Sequence, residues 1–204
     1  MNNLKGLFIT FEGPEASGKS SQIILLKKFL IKKKIPFKIT REPGGTKLSE
    51  KLRNLILNKD SSINLLEEIM LLMAARSHHI NNILLPNLKK GKIVISDRYA
   101  DSTFVYQGYV NNFGIKKAQN LHKVLLNNFL PHKTFLFNLT TSKIINRLKK
   151  RKSKNKYDKL NRLFHEKVNI GYAKVSKNKR FIHLNASLSK QTIHNQILKN
   201  LNLK

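Results

Sequence analysis

The stretch Gly13-Pro14-Glu15-Ala16-Ser17-Gly18-Lys19-Ser20 constrains the fold of this chain more than any other. It fits G-x-x-x-x-G-K-[ST], follows the apolar run Leu7-Phe8-Ile9-Thr10-Phe11, and opens a segment in which Ile23, Leu26 and Leu30 recur at helical spacing. A strand, a glycine-rich turn and a helix, in that order, let backbone N–H groups turn inward around a phosphate while the positive end of the helix dipole faces the same anion. In such a loop Lys19 reaches the outer phosphates of a nucleotide and the Ser20 hydroxyl ligates Mg²⁺. Gly13, Pro14, Glu15, Ala16, Ser17, Gly18, Lys19, Ser20 and Ser21 are therefore candidates for holding ATP. The alternative is a strand-to-helix turn that binds nothing.

The rest of the chain repeats that alternation. Leu7 to Phe11, Phe37 to Thr40, Ile93 to Ser96, Thr134 to Leu139 and Phe181 to Leu184 are short, apolar and rich in β-branched or aromatic residues, as buried parallel strands are. Between them Leu48, Leu52 and Leu55, then Leu65, Ile69, Leu72 and Arg76, mark helices; Ile193, Ile197 and Leu201 mark a last one with Ser189 placed to cap it. This pattern predicts an α/β fold, a mostly parallel sheet with helices on both faces and ligands at the carboxyl ends of the strands. With 204 residues and 40% hydrophobic content, one domain over 1–204 is expected. The lysine-rich stretch from Lys149 to Lys156 is too charged to pack and reads as a mobile loop or an exposed helix end.

Two function classes are set aside by composition. The chain has no cysteine, which removes thiolate metal sites and thiol nucleophiles, and no apolar run long enough to span a bilayer. A cytoplasmic protein without membrane contact is the expectation. The net charge of +29 suits a nucleic-acid surface, yet the lysines are spread over every segment with Asn and Ile, and the aromatics sit in apolar runs. Drift of a solvated surface accounts for that distribution, so no specific nucleic-acid binding is expected.

Two further stretches carry chemistry. Arg41-Glu42-Pro43-Gly44-Gly45-Thr46 forces a turn at the carboxyl edge of the second strand, between an arginine and a helix-capping threonine. Asp97-Arg98-Tyr99 ends the third: an acidic residue there suits Mg²⁺, and an arginine suits bidentate phosphate binding. Together with Phe11-Glu12-Gly13, Leu52-Arg53, Ala74-Ala75-Arg76, Tyr106-Gln107-Gly108, Phe164-His165-Glu166-Lys167-Val168 and Gly171-Tyr172, these motifs resemble the thymidylate kinase family, in its order and spacing over essentially the whole chain.

The resemblance implies a P-loop kinase fold, a three-layer α/β/α arrangement with strand order 2-3-1-4-5 and a small mobile lid at about 149–160. It implies ATP-dependent phosphorylation of dTMP to dTDP in dTTP synthesis, Mg²⁺ as cofactor, and a homodimer. By the same resemblance Arg98 and Arg53 grip the acceptor phosphate and Arg76 reaches thymine O4. Thr103 and Gln107 meet the base edge, Tyr106 closes the sugar pocket, and Arg41 and Pro43 line the dTMP site, Pro43 through a cis peptide. Asp97 and Ser20 organise Mg²⁺, while Asn185 and Ala186 contact adenine. Glu15 in the P-loop marks the bacterial type, whose catalytic arginines come from the lid. There the chain departs from the family, carrying Arg151 and Lys156 as candidates, with lysine at a position where arginine is usual. It departs again at Leu72, where a phenylalanine commonly stacks on thymine; losing the π-face is worth about 1 kcal/mol.

Read singly, these residues have plainer roles. Arg53 and Arg76 are ordinary solvated arginines of amphipathic helices, Asp97 and Arg98 a strand-end ion pair, Tyr106 and Leu72 core packing, and His78-His79 a surface or satisfied core pair. A kinase for another nucleotide or a deoxynucleoside, and a degenerate nucleotide-binding protein with reduced catalysis, are the alternative functions.

Overall fold

The structure is a computed structural model that describes residues 5–58, 60–150 and 160–203. Five parallel strands, β1 (Leu7–Glu12), β2 (Phe37–Arg41), β3 (Ile93–Asp97), β4 (Lys133–Asn138) and β5 (Phe181–Asn185), form one sheet in the order β2-β3-β1-β4-β5. Four of the strands start where expected and run one residue further, while β4 starts and ends one residue before the expected Thr134 to Leu139. Order reverses across β1, so its carboxyl end opens the crevice where α/β sheets bind ligands.

Alternation along the strands builds two cores. Phe8, Val94 and Leu136 face one side of the sheet. There they meet α3 (Leu65–His79), which continues through a π-helical turn at Ile80–Leu84 into α4 (Leu85–Lys89), and also α6 (Ile115–Leu126) and α8 (Arg162–Val175). Ile9, Phe11, Ile95, Phe135 and Phe137 face the other, against α1 (Lys19–Lys32), α7 (Thr141–Lys149) and α9 (Lys190–Asn200). Ser189 caps α9 by accepting from the Thr192 N–H. The short α5 (Ala100–Thr103) leads into a π-helical stretch, Phe104–Val110, packed on α8. That wider winding re-aims side chains beside the site.

One helix turns its pattern outward. In α2 (Lys47–Leu57) only Ser49 and Ile56 are buried, while Leu48 and Leu55 lie exposed. Leu55 and, on α3, Met70 line an apolar groove separate from the cleft, and Leu66 of α3 is exposed as well. Among the described residues no helix is long and apolar enough to cross a membrane.

Candidate active site

At Gly13 the chain leaves β1 with φ +134°, and a Cβ there would come 2.7 Å from the Phe137 carbonyl oxygen. Only glycine can begin the P-loop so close to β4. The loop closes on itself: Lys19 Nζ donates to the carbonyls of Gly13 and Pro14 at 3.0 and 2.8 Å and to Ser17 Oγ at 3.3 Å. Burial pushes the Lys19 ammonium down to about 8, with Arg98 adding to the effect and Asp97, Glu15 and Glu12 opposing it. Ser20 Oγ donates to Asp97 Oδ2 at 3.2 Å. A hydroxyl and a carboxylate oxygen side by side are hard donors of the kind Mg²⁺ takes together with nucleotide phosphates and water, so this pair fits that ion.

Arg98 has φ +67°, a left-handed backbone that costs a non-glycine residue about 1 kcal/mol. Its N–H donates to the Phe11 carbonyl and its own carbonyl accepts from Ser96 Oγ, which holds the turn. The guanidinium thereby swings to the P-loop, where Nη2 donates to Glu15 Oε1 at 3.0 Å and Nη1 to Ser102 Oγ and Tyr172 Oη, each at 3.0 Å. Burial would push the Glu15 carboxyl up, but Arg98, Lys19 and the Tyr106 hydroxyl hold it below the usual value. Behind them sits Glu12, wholly buried, accepting from the Tyr99 N–H with one oxygen and from Ser102 and Tyr172 with the other.

The far end of the cleft is set by the turn after β2. Its Glu42–Pro43 peptide is cis, and Arg53 Nη1 donates to the Pro43 carbonyl at 2.8 Å. Arg41 is exposed and paired with Glu50 at 2.8 Å. Arg76, 3% exposed, donates through Nε to Glu42 Oε2 at 2.7 Å and through Nη2 to Thr103 Oγ1 at 2.8 Å. Glu42 stays below the usual carboxylate range, because Arg76 and His79 outweigh its burial. Gln107 donates to Glu68 at 2.8 Å.

One cleft of about 520 Å³ gathers these groups. Lys19, Ser20, Arg41, Pro43, Arg53, Leu72, Arg76, Asp97, Arg98, Thr103, Tyr106 and Gln107 all line it. Asn185 and Ala186 stand apart at the end of β5, where Arg147 of α7 bridges the Ala186 and Ala16 carbonyls at 2.9 and 3.1 Å. Arg151 and Lys156, and most of the expected lid, lie outside the described residues. Sequence reasoning missed Glu12, Glu42, Ser102, Tyr172 and Arg147 as site residues, although the Phe-Glu-Gly, Glu-Pro-Gly-Gly and Gly-Tyr motifs hinted at Glu12, Glu42 and Tyr172.

Against this geometry, the family model described as thymidylate kinase matches residues 11–197. The chain belongs to the thymidylate kinase family. A thymidylate kinase of Thermoanaerobacter sp. (strain X514) is 36% identical, the match covering 96% of this chain and 97% of that protein. One from Orientia tsutsugamushi is 38% identical over 100% of this chain and 96% of that protein. Among solved structures, thymidylate kinase from Ehrlichia chaffeensis superposes with a TM-score of 0.78 at 29% identity, covering 97% of this chain and 99% of that one.

Proposed function

We propose that the cleft holds dTMP with its base toward Arg76 and its phosphate toward Arg98 and Arg53, facing an ATP cradled by the P-loop. The reaction is ATP-dependent phosphorylation of dTMP to dTDP. The observation that carries the arrangement is the convergence, on one cleft, of Lys19 at the donor end, Arg98 in the middle and Arg76 with Thr103 at the acceptor end. Arg76 presents donors suited to a carbonyl such as thymine O4, and Gln107 offers an amide to the base edge. Tyr106, hydrogen-bonded to Glu15 at 2.6 Å, walls the sugar pocket.

No side-chain nucleophile is needed. A phosphate with a second pKa of about 6 is already ionised near neutrality, so this chain's residues align two phosphates and offset charge. Lys19 and the loop N–H groups take the donor phosphates; Arg98, rigid between Glu15, Ser102 and Tyr172, takes the acceptor. Ser20 and Asp97 would hold Mg²⁺, which when bound neutralises charge on the phosphates. Asn185 and Ala186, braced by Arg147, would face adenine, and Arg151 and Lys156 would bring positive charge from the lid. The exposed apolar surface of α2 and α3 supports a homodimer, since patches of that kind mark association sites. A cytoplasmic location goes with the reaction's substrates, and no specific nucleic-acid or membrane partner is proposed.

ADP release from ATP and Mg²⁺, measured with dTMP, dUMP, dCMP and dGMP in parallel, tests this reading. Turnover preferring dTMP is expected; background rates with every monophosphate would refute it. Leu72, 6% exposed in the cleft, gives a second expectation. Leu72→Phe should lower the KM for dTMP about fivefold, on the order of 1 kcal/mol, by restoring a stacking face, and widen the preference over dUMP. An unchanged KM would remove Leu72 from the base pocket.

A further inference from the structure

Arg76 is held at Nη2 by Thr103 and at Nε by Glu42, and Glu42 is a carboxylate on a turn, free to rotate unless its second oxygen is held. His79 holds it. The ring is fully buried, Nδ1 lies 2.7 Å from Glu42 Oε1, and Nε2 lies 2.6 Å from Thr40 Oγ1. A carboxylate can only accept, so Nδ1 carries a hydrogen and both oxygens of Glu42 are committed, one to His79 and one to Arg76. Arg76 and His79 lie three residues apart on α3, so they face the same turn one above the other.

The glycine turn seals this chain of bonds from water. Gly45 has φ +87°, and a Cβ at that position would run into Thr40 Oγ1 and come 2.8 Å from His79 Nε2. The second glycine of Pro-Gly-Gly is thus needed for more than the bend: backbone lies directly on the Thr40–His79 bond. In a site screened from solvent, each bond of such a chain strengthens its neighbour.

We propose that His79 is a positioning residue for base recognition, acting through Glu42 to fix the guanidinium that reads the base. It has no contact with the cleft itself, being absent from its lining. The inference rests on the reading of Arg76 as the residue that meets thymine O4. Its consequence is selective: loss of the imidazole should loosen Arg76 and the Pro43 turn together, leaving the P-loop and Arg98, which hang on β1 and β3, untouched. The same Arg76 donors that suit O4 oppose the amino group at that position of cytosine, so a loosened arginine also discriminates less.

The test is a series of variants assayed with dTMP, dCMP and ATP varied separately. His79→Leu is expected to raise the KM for dTMP at least tenfold, to leave kcat and the KM for ATP within about twofold, and to narrow the dTMP over dCMP preference. His79→Asn, whose amide nitrogen reproduces the Nδ1–H donor, should recover most of the loss. Thr40→Val, which keeps the volume and removes the outer bond, should raise the KM about threefold. A dTMP KM unchanged in His79→Leu overturns the proposal, as does a fall in kcat with KM and base preference intact, or an asparagine no better than leucine. Should His79→Leu not fold, an unchanged dTMP KM and base preference in Thr40→Val overturns it. Failure of the parent enzyme to phosphorylate dTMP would instead overturn the functional reading, and is seen before any variant is made.

Discussion

Lys19→Ala is expected to lower kcat with dTMP by about 10³-fold, on the order of 4 kcal/mol of transition-state stabilisation, while the chain stays folded. Charge on the transferring phosphoryl group is what this site must offset, and Lys19 is the ammonium of the P-loop, buried and already oriented by the Gly13 and Pro14 carbonyls. Its cost when unpaired shows in its acidity: burial and the neighbouring Arg98 bring it down to about 8. The free parent enzyme should therefore lose kcat/KM for ATP as pH rises through about 8, because the deprotonated amine no longer offsets phosphate charge. Stopped-flow or coupled ADP release across pH 6.5 to 9.5 measures both effects. A variant that keeps a tenth of the parent kcat would show that the loop N–H groups alone carry the donor phosphates. Lys19→Met makes the control, since it keeps apolar bulk in the buried position.

The parts of this site that lie on contiguous sequence were legible, and the parts assembled across the fold were not. Gly13 to Ser20 announces itself because one loop supplies all its chemistry, and Asp97-Arg98 does so because both sit at one strand end. The five strands were legible for a similar reason: β1, β3 and β4 are buried on both faces and read as apolar runs, while the edge strands β2 and β5, more exposed, still carry enough aromatic and β-branched residues to stand out. Arg76 is the contrary case. On α3 it looks like any helical arginine, and its burial depends on Glu42, 34 residues away, which no local pattern links to it. Tyr172 and Glu12 meet across 160 residues and become a pair only when α8 packs on the sheet. Leu48 and Leu55 show the opposite failure, since helical spacing marks an apolar face without saying whether this chain or another covers it.

Glu12→Gln should abolish a pH dependence of stability in the parent worth up to about 3 kcal/mol. Burial pushes the Glu12 carboxyl from an ordinary 4.5 up to about 7; Asp101 adds to the rise, and Arg98, Ser102 and Tyr172 pull against it. Because folding raises this pKa, the folded chain holds the proton more tightly than the unfolded chain. The stabilisation is complete below about 4.5, declines as pH rises toward 7 and is gone above it, and that interval converts to about 3 kcal/mol. Glutamine cannot ionise, so the difference between parent and variant in urea unfolding should grow in the variant's favour from pH 5 to pH 8. Activity should move the other way. Ser102 and Tyr172 both donate to Glu12 Oε2 while accepting from Arg98, and an amide nitrogen in that place offers a second donor where those hydroxyls need an acceptor. Their lone pairs are then shared, Arg98 is held less firmly, and kcat/KM for dTMP at pH 8 should fall about tenfold. Parallel stability curves for the two proteins would show that Glu12 is ionised throughout, with Arg98 outweighing its burial. A gain in stability joined to a loss in phosphate grip would mark Glu12 as a charge kept, at a cost to the fold, to aim Arg98.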